Sequence, residues 1–175
     1  GESALVKILN NEITKRIVNP ASDLDSNTSV INFKEAPIPD YGNLNVDKYM
    51  QLSVSSSRGC PFECSFCAET VFWDGFRSNT ALSVYNQIDN LAKKYKKSSF
   101  YICDSLSNHI ITPLTKEIKD NNKPYTLDCY LRADKVCTSE ERTKLWREGG
   151  LFRARLGMES ASQRILDDMV KQTTP

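Results

Sequence analysis

Gln51 to Cys103, QLSVSSSRGC PFECSFCAET VFWDGFRSNT ALSVYNQIDN LAKKYKKSSF YIC, is the stretch that decides the fold. Gln51–Ser55 is a short strand candidate that runs into Ser56-Ser57-Arg58-Gly59, a glycine-bearing loop. Leu82, Tyr85, Ile88, Leu91, Ala92 and Tyr95 then recur at helical spacing and trace one apolar helix face. An apolar-rich run, Ser99–Cys103, follows as a second strand. A strand, a loop, a helix and a strand in that order form one βαβ unit, whose crossover makes the strands parallel.

The alternation continues towards the C-terminus. Ile110, Ile111, Leu114 and Ile118 mark the next helix face, Asn121-Asn122-Lys123-Pro124 stops it, and Tyr125–Leu131 is rich in strand formers. Thr138-x-x-Glu141 has the form of a capping box, and its helix ends at Gly149-Gly150. Leu151–Gly157 is a fourth strand candidate, and Ser160-x-x-Gln163 opens a last helix. Strands alternating with helices predict an α/β fold with a parallel sheet, either open or closed into a barrel. An eight-unit barrel takes about 250 residues, so residues 49–175 supply about four βα units of a partial TIM-like (β/α) barrel. No closing strand follows the last helix, so 49–175 is expected to be truncated at its C-terminal side.

Towards the N-terminus the texture differs. Ala4, Leu5, Ile8, Leu9 and Ile13 predict a short amphipathic helix that docks on something. From Asn19 to Asp47 the chain turns to Asn, Asp, Ser and Pro, with a possible strand within Ser29–Phe33. Pro37-Ile38-Pro39-Asp40-Tyr41 cannot be regular helix, because each proline restricts its predecessor. Residues 1–48 are therefore expected to form a helix and a wrapped linker.

Composition narrows the class of function. With 23 Lys+Arg against 22 Asp+Glu the net charge is +1, so bulk charge recruits neither nucleic acid nor an anionic membrane. No apolar run approaches the roughly 20 residues of a membrane span. Gly1-Glu2-Ser3-Ala4 lacks the start of a secretory signal, which makes the cytoplasm the expected compartment.

Three of the six cysteines crowd into Cys60-Pro61-Phe62-Glu63-Cys64-Ser65-Phe66-Cys67, a C-x3-C-x2-C loop just past the first strand, where parallel barrels place their active sites. That crowding reads as metal chemistry. Three thiolates can hold three irons of a [4Fe–4S] cube and leave the fourth iron open for a ligand. The competing readings are a zinc site completed by His109 or another cysteine, and three incidental thiols. Structural zinc favours a second C-x2-C pair, and none exists here.

Ser57-Arg58-Gly59-Cys60-Pro61-Phe62-Glu63-Cys64-Ser65-Phe66-Cys67 resembles the cluster loop of the radical S-adenosylmethionine (SAM) superfamily, including the aromatic before the last cysteine. The resemblance implies a barrel of six βα units, about four of them present here. It also implies a [4Fe–4S] cluster on Cys60, Cys64 and Cys67 whose open iron chelates SAM and cleaves it to a 5′-deoxyadenosyl radical. Leu156-Gly157-Met158-Glu159-Ser160-Ala161-Ser162, with Ile165-Leu166 and Met169-Val170-Lys171, is similar to the fourth-strand segment of the subgroup carrying an N-terminal cobalamin-binding domain. Arg132-x-Asp134 fits that subgroup too, and Pro37–Tyr41 resembles its interdomain linker. No Asp-x-His-x-x-Gly motif is present, so cobalamin is expected only through an upstream domain outside this sequence.

Further roles follow from the resemblance, each beside a plainer alternative. Phe66 lies by the adenine, or merely covers the cluster. Cys103-Asp104-Ser105 stands where the family usually has Gly-Gly-Glu-Pro, so Asp104 meets the methionine ammonium or is a cap or turn aspartate. Glu159 and Ser160 bind SAM ribose or methionine groups, unless Ser160 caps the following helix. Arg132 pairs with the SAM carboxylate or a substrate acid, or else with Asp134. Cys103, Cys129 and Cys137 read as small buried hydrophobes. His109 reads as a surface or capping residue, Lys93–Lys97 as a solvated helix end, and Trp73 and Phe76 as a roof or a packing layer.

The expected function is that of a radical SAM enzyme core, with cobalamin-linked methyl transfer as one outcome. The alternatives are a zinc- or cluster-stabilised binding module and a methylthiotransferase core. A small-molecule or peptide substrate and a low-potential flavodoxin- or ferredoxin-type electron donor are the expected partners; nucleic acid and membrane are not. An unpaired strand edge predicts weak SAM retention and dimer contacts along it.

Overall fold

The computed structural model describes residues 2–12, 14, 33, 37–73 and 75–175. Two compact units emerge, Gly1–Pro37 and Ile38–Pro175. Residues 38–48 fall in the second unit. In the first unit α1 spans Glu2–Leu9 and ends in a turn with Asn11 at φ 58°. Leu5 and Leu9 on it are exposed. The strand expected within 29–33 falls outside the described residues but for Phe33.

The second unit holds β1 (Leu52–Val54), β2 (Ser57–Arg58), α2 (Glu69–Trp73), β3 (Arg77–Ser78), α3 (Ala81–Tyr95), β4 (Ser99–Ile102), α4 (Ile111–Asp120), β5 (Thr126–Arg132), α5 (Glu140–Glu148), β6 (Leu151–Gly157) and α6 (Gln163–Asp168). Four strands make one parallel sheet in the order β1-β4-β5-β6. Each new strand is added on the same side of the last. Right-handed crossovers repeated in one direction put every connecting helix on the same face, which is the winding of a (β/α) barrel and not of a doubly wound sheet. The fold is a partial TIM-like α/β barrel, as the alternation predicted.

Strand alternation divides the sheet into two chemistries. Leu52, Val54, Phe100, Ile102, Leu127, Cys129 and Leu131 form the helix-side face, packed with Val84, Ile88 and Leu91 of α3, Ile111, Leu114 and Ile118 of α4, and Trp146 of α5. Burying each such side chain contributes about 1.5–3 kcal/mol of transfer free energy. Trp146 satisfies its indole N–H on Thr112 Oγ1 at 2.9 Å. The opposite face carries Ser53, Tyr101, Asp128, Tyr130 and Arg132, and this polar face leads to the site.

Local signals decide the element ends, with corrections. Thr80 caps α3 by accepting from the Ser83 amide at 3.2 Å, and Lys96 closes it at φ 54°. The cap of α5 is Ser139, accepting from the Arg142 amide, and not Thr138, whose hydroxyl instead donates to Lys135 O at 3.0 Å. Ser162, not Ser160, stands at the N-cap of α6. The β2–β3 hairpin, pairing Ser57 with Ser78 and Arg58 with Arg77, was not foreseen, because two-residue strands leave no periodicity to read. No described helix is long and apolar enough to cross a membrane.

Candidate functional site

The hairpin brackets the cysteine loop. Gly59 sits at φ 78°, and a Cβ there would meet Gly75 O at 2.2 Å, so only glycine lets the two arms close. Within the loop the Cys67 amide donates to Cys64 O at 3.0 Å, and the Ser65 amide donates to Met169 O at 3.0 Å, tying the loop to the turn after α6.

All six cysteines are free thiols. Cys60, Cys64 and Cys67 line one open cavity of about 310 Å³ together with Phe66, Arg132 and Glu159, a size in the range of ligand pockets. Burial pushes the Cys60 thiol up, and the neighbouring Cys64 and Cys67 add to the effect. Among the described residues no three His, Cys, Asp or Glu side chains are gathered closely enough to hold a single ion. A cube asks for something else, since each thiolate takes a different iron and the three sulfurs sit around it. Three free thiols spread along one cavity are the donor set that suits such a cube.

Asp104 is not at this cavity. Its Oδ1 accepts from the Ser56 amide at 2.9 Å and Ser55 Oγ at 3.1 Å, while Oδ2 accepts from Ser57 Oγ at 3.0 Å and from Ser56 Oγ. The buried carboxylate pins the β1–β2 turn and is not among the cavity's lining residues. Ser160 lines a neighbouring cavity of about 820 Å³, and its Oγ accepts from the Ser162 amide at 3.0 Å.

Arg132 is buried at the end of β5. It does not pair with Asp134, whose oxygens accept from Asn108 Nδ2 at 3.0 Å and the Val136 amide at 2.9 Å. Its guanidinium lies 3.8 Å from the Phe62 ring centroid, and Nη1 approaches Cys64 Sγ at 3.8 Å.

Lys171 is the residue that sequence reasoning passed over. It is 7% exposed, donates to Glu159 Oε1 at 3.0 Å and stands 5.7 Å from the Phe66 ring centroid. Val170 at φ 52° and Gln172 at φ 56° flank it, and Glu159 is itself at φ 62°. Such left-handed backbone is costly for side-chain-bearing residues and marks functional places. Its signal was present in Met169-Val170-Lys171, but no pattern says that a lysine after a short helix turns inward.

Other residues settle into structural parts. His109 is half-buried: its ring packs edge-on to Phe76 at 5.1 Å, both nitrogens are buried, and burial lowers its pKa. Cys129 is buried and pushed up to about 12 by burial, whereas Cys103 is exposed. Trp73 lies under the Arg58 guanidinium at 5.2 Å.

The family model described as Radical SAM superfamily matches residues 54–175. An anaerobic magnesium-protoporphyrin IX monomethyl ester cyclase of Rubrivivax gelatinosus is 28% identical over 165 residues, covering 89% of this chain and 28% of that protein. An uncharacterized methyltransferase of Pyrococcus horikoshii is 30% identical over 154 residues, covering 82% of this chain and 33% of that protein. The chain thus spans a third or less of these relatives' length. Among solved structures, the radical SAM methyltransferase TsrM of Kitasatospora setae, with tryptophan and a SAM analogue bound, superposes with a TM-score of 0.63 at 20% identity. That match covers 74% of this chain and 26% of TsrM.

Proposed function

The chain belongs to the radical SAM superfamily, and from that premise we propose that its cavity holds a [4Fe–4S] cluster on Cys60, Cys64 and Cys67 with SAM beside it. The observation that carries this reading is that three free thiols line one cavity with no fourth cysteine among its lining residues. Held by Cys60, Cys64 and Cys67, such a cluster would supply the electron for reductive cleavage of the S–C5′ bond of SAM. Everything else falls to the protein, which must hold, orient and exclude water.

Phe66, about half exposed, offers an aromatic edge and its backbone to the adenine. Glu159 and Lys171 present opposite charges to the methionine head, which carries both an ammonium and a carboxylate. Arg132 Nη2, buried and without a partner, suits the carboxylate. Asp104 and Gly59 hold the loop in shape from outside the cavity, and Ser160 serves the neighbouring cavity.

Relatives named as methyltransferases, and a TsrM structure described with cobalamin and a [4Fe–4S] cluster, support cobalamin-linked methyl transfer as the reaction class. The substrate is then a small molecule or peptide, and the electron donor a low-potential flavodoxin or ferredoxin. Cobalamin itself would come from an upstream domain.

The test is anaerobic reconstitution followed by dithionite and SAM. Iron and sulfide of about four each per chain and formation of 5′-deoxyadenosine are expected, with Cys64→Ala as control. Equal product from both proteins would remove the assignment.

A further inference from the structure

Arg132 is a buried cation without a carboxylate. Among the described residues no Asp or Glu pairs with it, and Nη2 has no hydrogen-bond partner. Taking a guanidinium out of water without a counter-charge is strongly unfavourable, so an anion must answer it in the working protein. Among the described residues it approaches Cys64 Sγ, 3.8 Å from Nη1.

Arg132 is also held in place, at its backbone and at its guanidinium, which a merely solvated arginine is not. Asn108 grips the backbone of Arg132 at both ends, accepting from its amide at 2.7 Å and donating to its carbonyl at 3.0 Å. The Cys137 thiol donates to the same carbonyl at 3.2 Å. Phe62, between the first two cysteines, stacks on the guanidinium at 3.8 Å and belongs to the same loop as Cys64. A planar cation pressed between a ring and a thiol loses little freedom when it forms a charge-assisted bond.

We propose that Arg132 is a positioning residue that hydrogen-bonds the Cys64 thiolate when the cluster is bound and thereby raises the cluster's reduction potential. The proposal rests on the cluster reading above. Reduction adds negative charge to the cluster, and a fixed positive donor on a ligand sulfur favours the reduced form; hydrogen bonds to sulfur and local charge are established determinants of such potentials. Nη2 remains available to an anion in the cavity, so one side chain links the occupied site to the ease of reduction.

The experiment is an EPR-monitored redox titration of the anaerobically reconstituted chain without SAM, comparing wild type with Arg132→Gln, Arg132→Lys and Asn108→Ala. Lys94→Gln, a remote charge change, serves as control. Arg132→Gln is expected to make reduction at least tenfold less favourable, about 59 mV more negative for one electron. Arg132→Lys, which keeps the charge but not the fork, should restore part of the difference, and Lys94→Gln none. Should Arg132→Gln fail to hold a cluster, Asn108→Ala carries the test: a negative shift with iron retained supports the proposal. A cluster retained at the wild-type potential in Arg132→Gln, or in Asn108→Ala where the former fails, overturns it and leaves the cluster reading standing. A wild-type chain that takes up no cluster overturns both.

Discussion

Asp104 and the Glu159–Lys171 pair separate what a residue does from where a motif places it. Asp104 satisfies four donors from three consecutive serines, and its removal strands buried donors at about 1–3 kcal/mol each. Asp104→Ala is therefore expected to lose a few kcal/mol of unfolding free energy in urea and most of its reconstituted iron. A stable variant with full iron and weakened SAM binding would instead restore the ammonium role. Lys171 is nearly buried and Glu159 about one-third exposed, so Glu159→Gln leaves a lysine poorly compensated and should cost about 1–2 kcal/mol, read by urea unfolding. Lys171→Met, which removes the charge and keeps the bulk, should recover much of that loss. The cysteines were legible because a C-x3-C-x2-C spacing has few other uses. Lys171 was not, because its burial comes from two left-handed residues beside it that no side-chain pattern announces.

At the scale of elements, the cluster loop depends on a hairpin too short to read in advance. Gly59→Ala puts a Cβ against Gly75 O at a backbone angle that alanine adopts poorly. We expect a loss of about 2 kcal/mol or more, with iron uptake failing before secondary structure does; circular dichroism beside an iron assay checks this. Residues 38–48 provide the second elementary test. Asp40 accepts from Tyr95 Oη, from Lys94 Nζ at 3.0 Å and from the Gly42 amide at 2.9 Å. These hydrogen bonds, that from Tyr95 first, hold its carboxyl at about 2, below its ordinary 3.8. A depressed carboxyl stabilises the fold above its ordinary pKa and loses that contribution as the pH falls through its folded value. The anchoring of Tyr41 against Tyr95, 6.0 Å between centroids, should thus survive pH 3 and fade near 2. NMR titration of the Asp40 carboxyl would settle it, and a midpoint near 4 would sink the idea.

For the whole molecule, the order β1-β4-β5-β6 leaves β6 as an edge strand with Phe152 and Leu156 half-exposed. An uncovered apolar edge invites pairing, so this chain is expected to self-associate, with Leu156→Lys shifting it towards monomer in light scattering; equal masses for both would remove the edge from consideration. The sequence by itself determined the alternation of strands and helices, the apolar faces that form the core, and the three-thiol loop, because periodicity and ligand spacing are local properties of the chain. Only the tertiary structure decided that Asp104 serves the turn and not the cavity, that Arg132 turns from Asp134 towards Cys64, and that Lys171 meets Glu159. Those choices are set by which charges become buried together, a quantity that exists only once distant segments share one low-dielectric space.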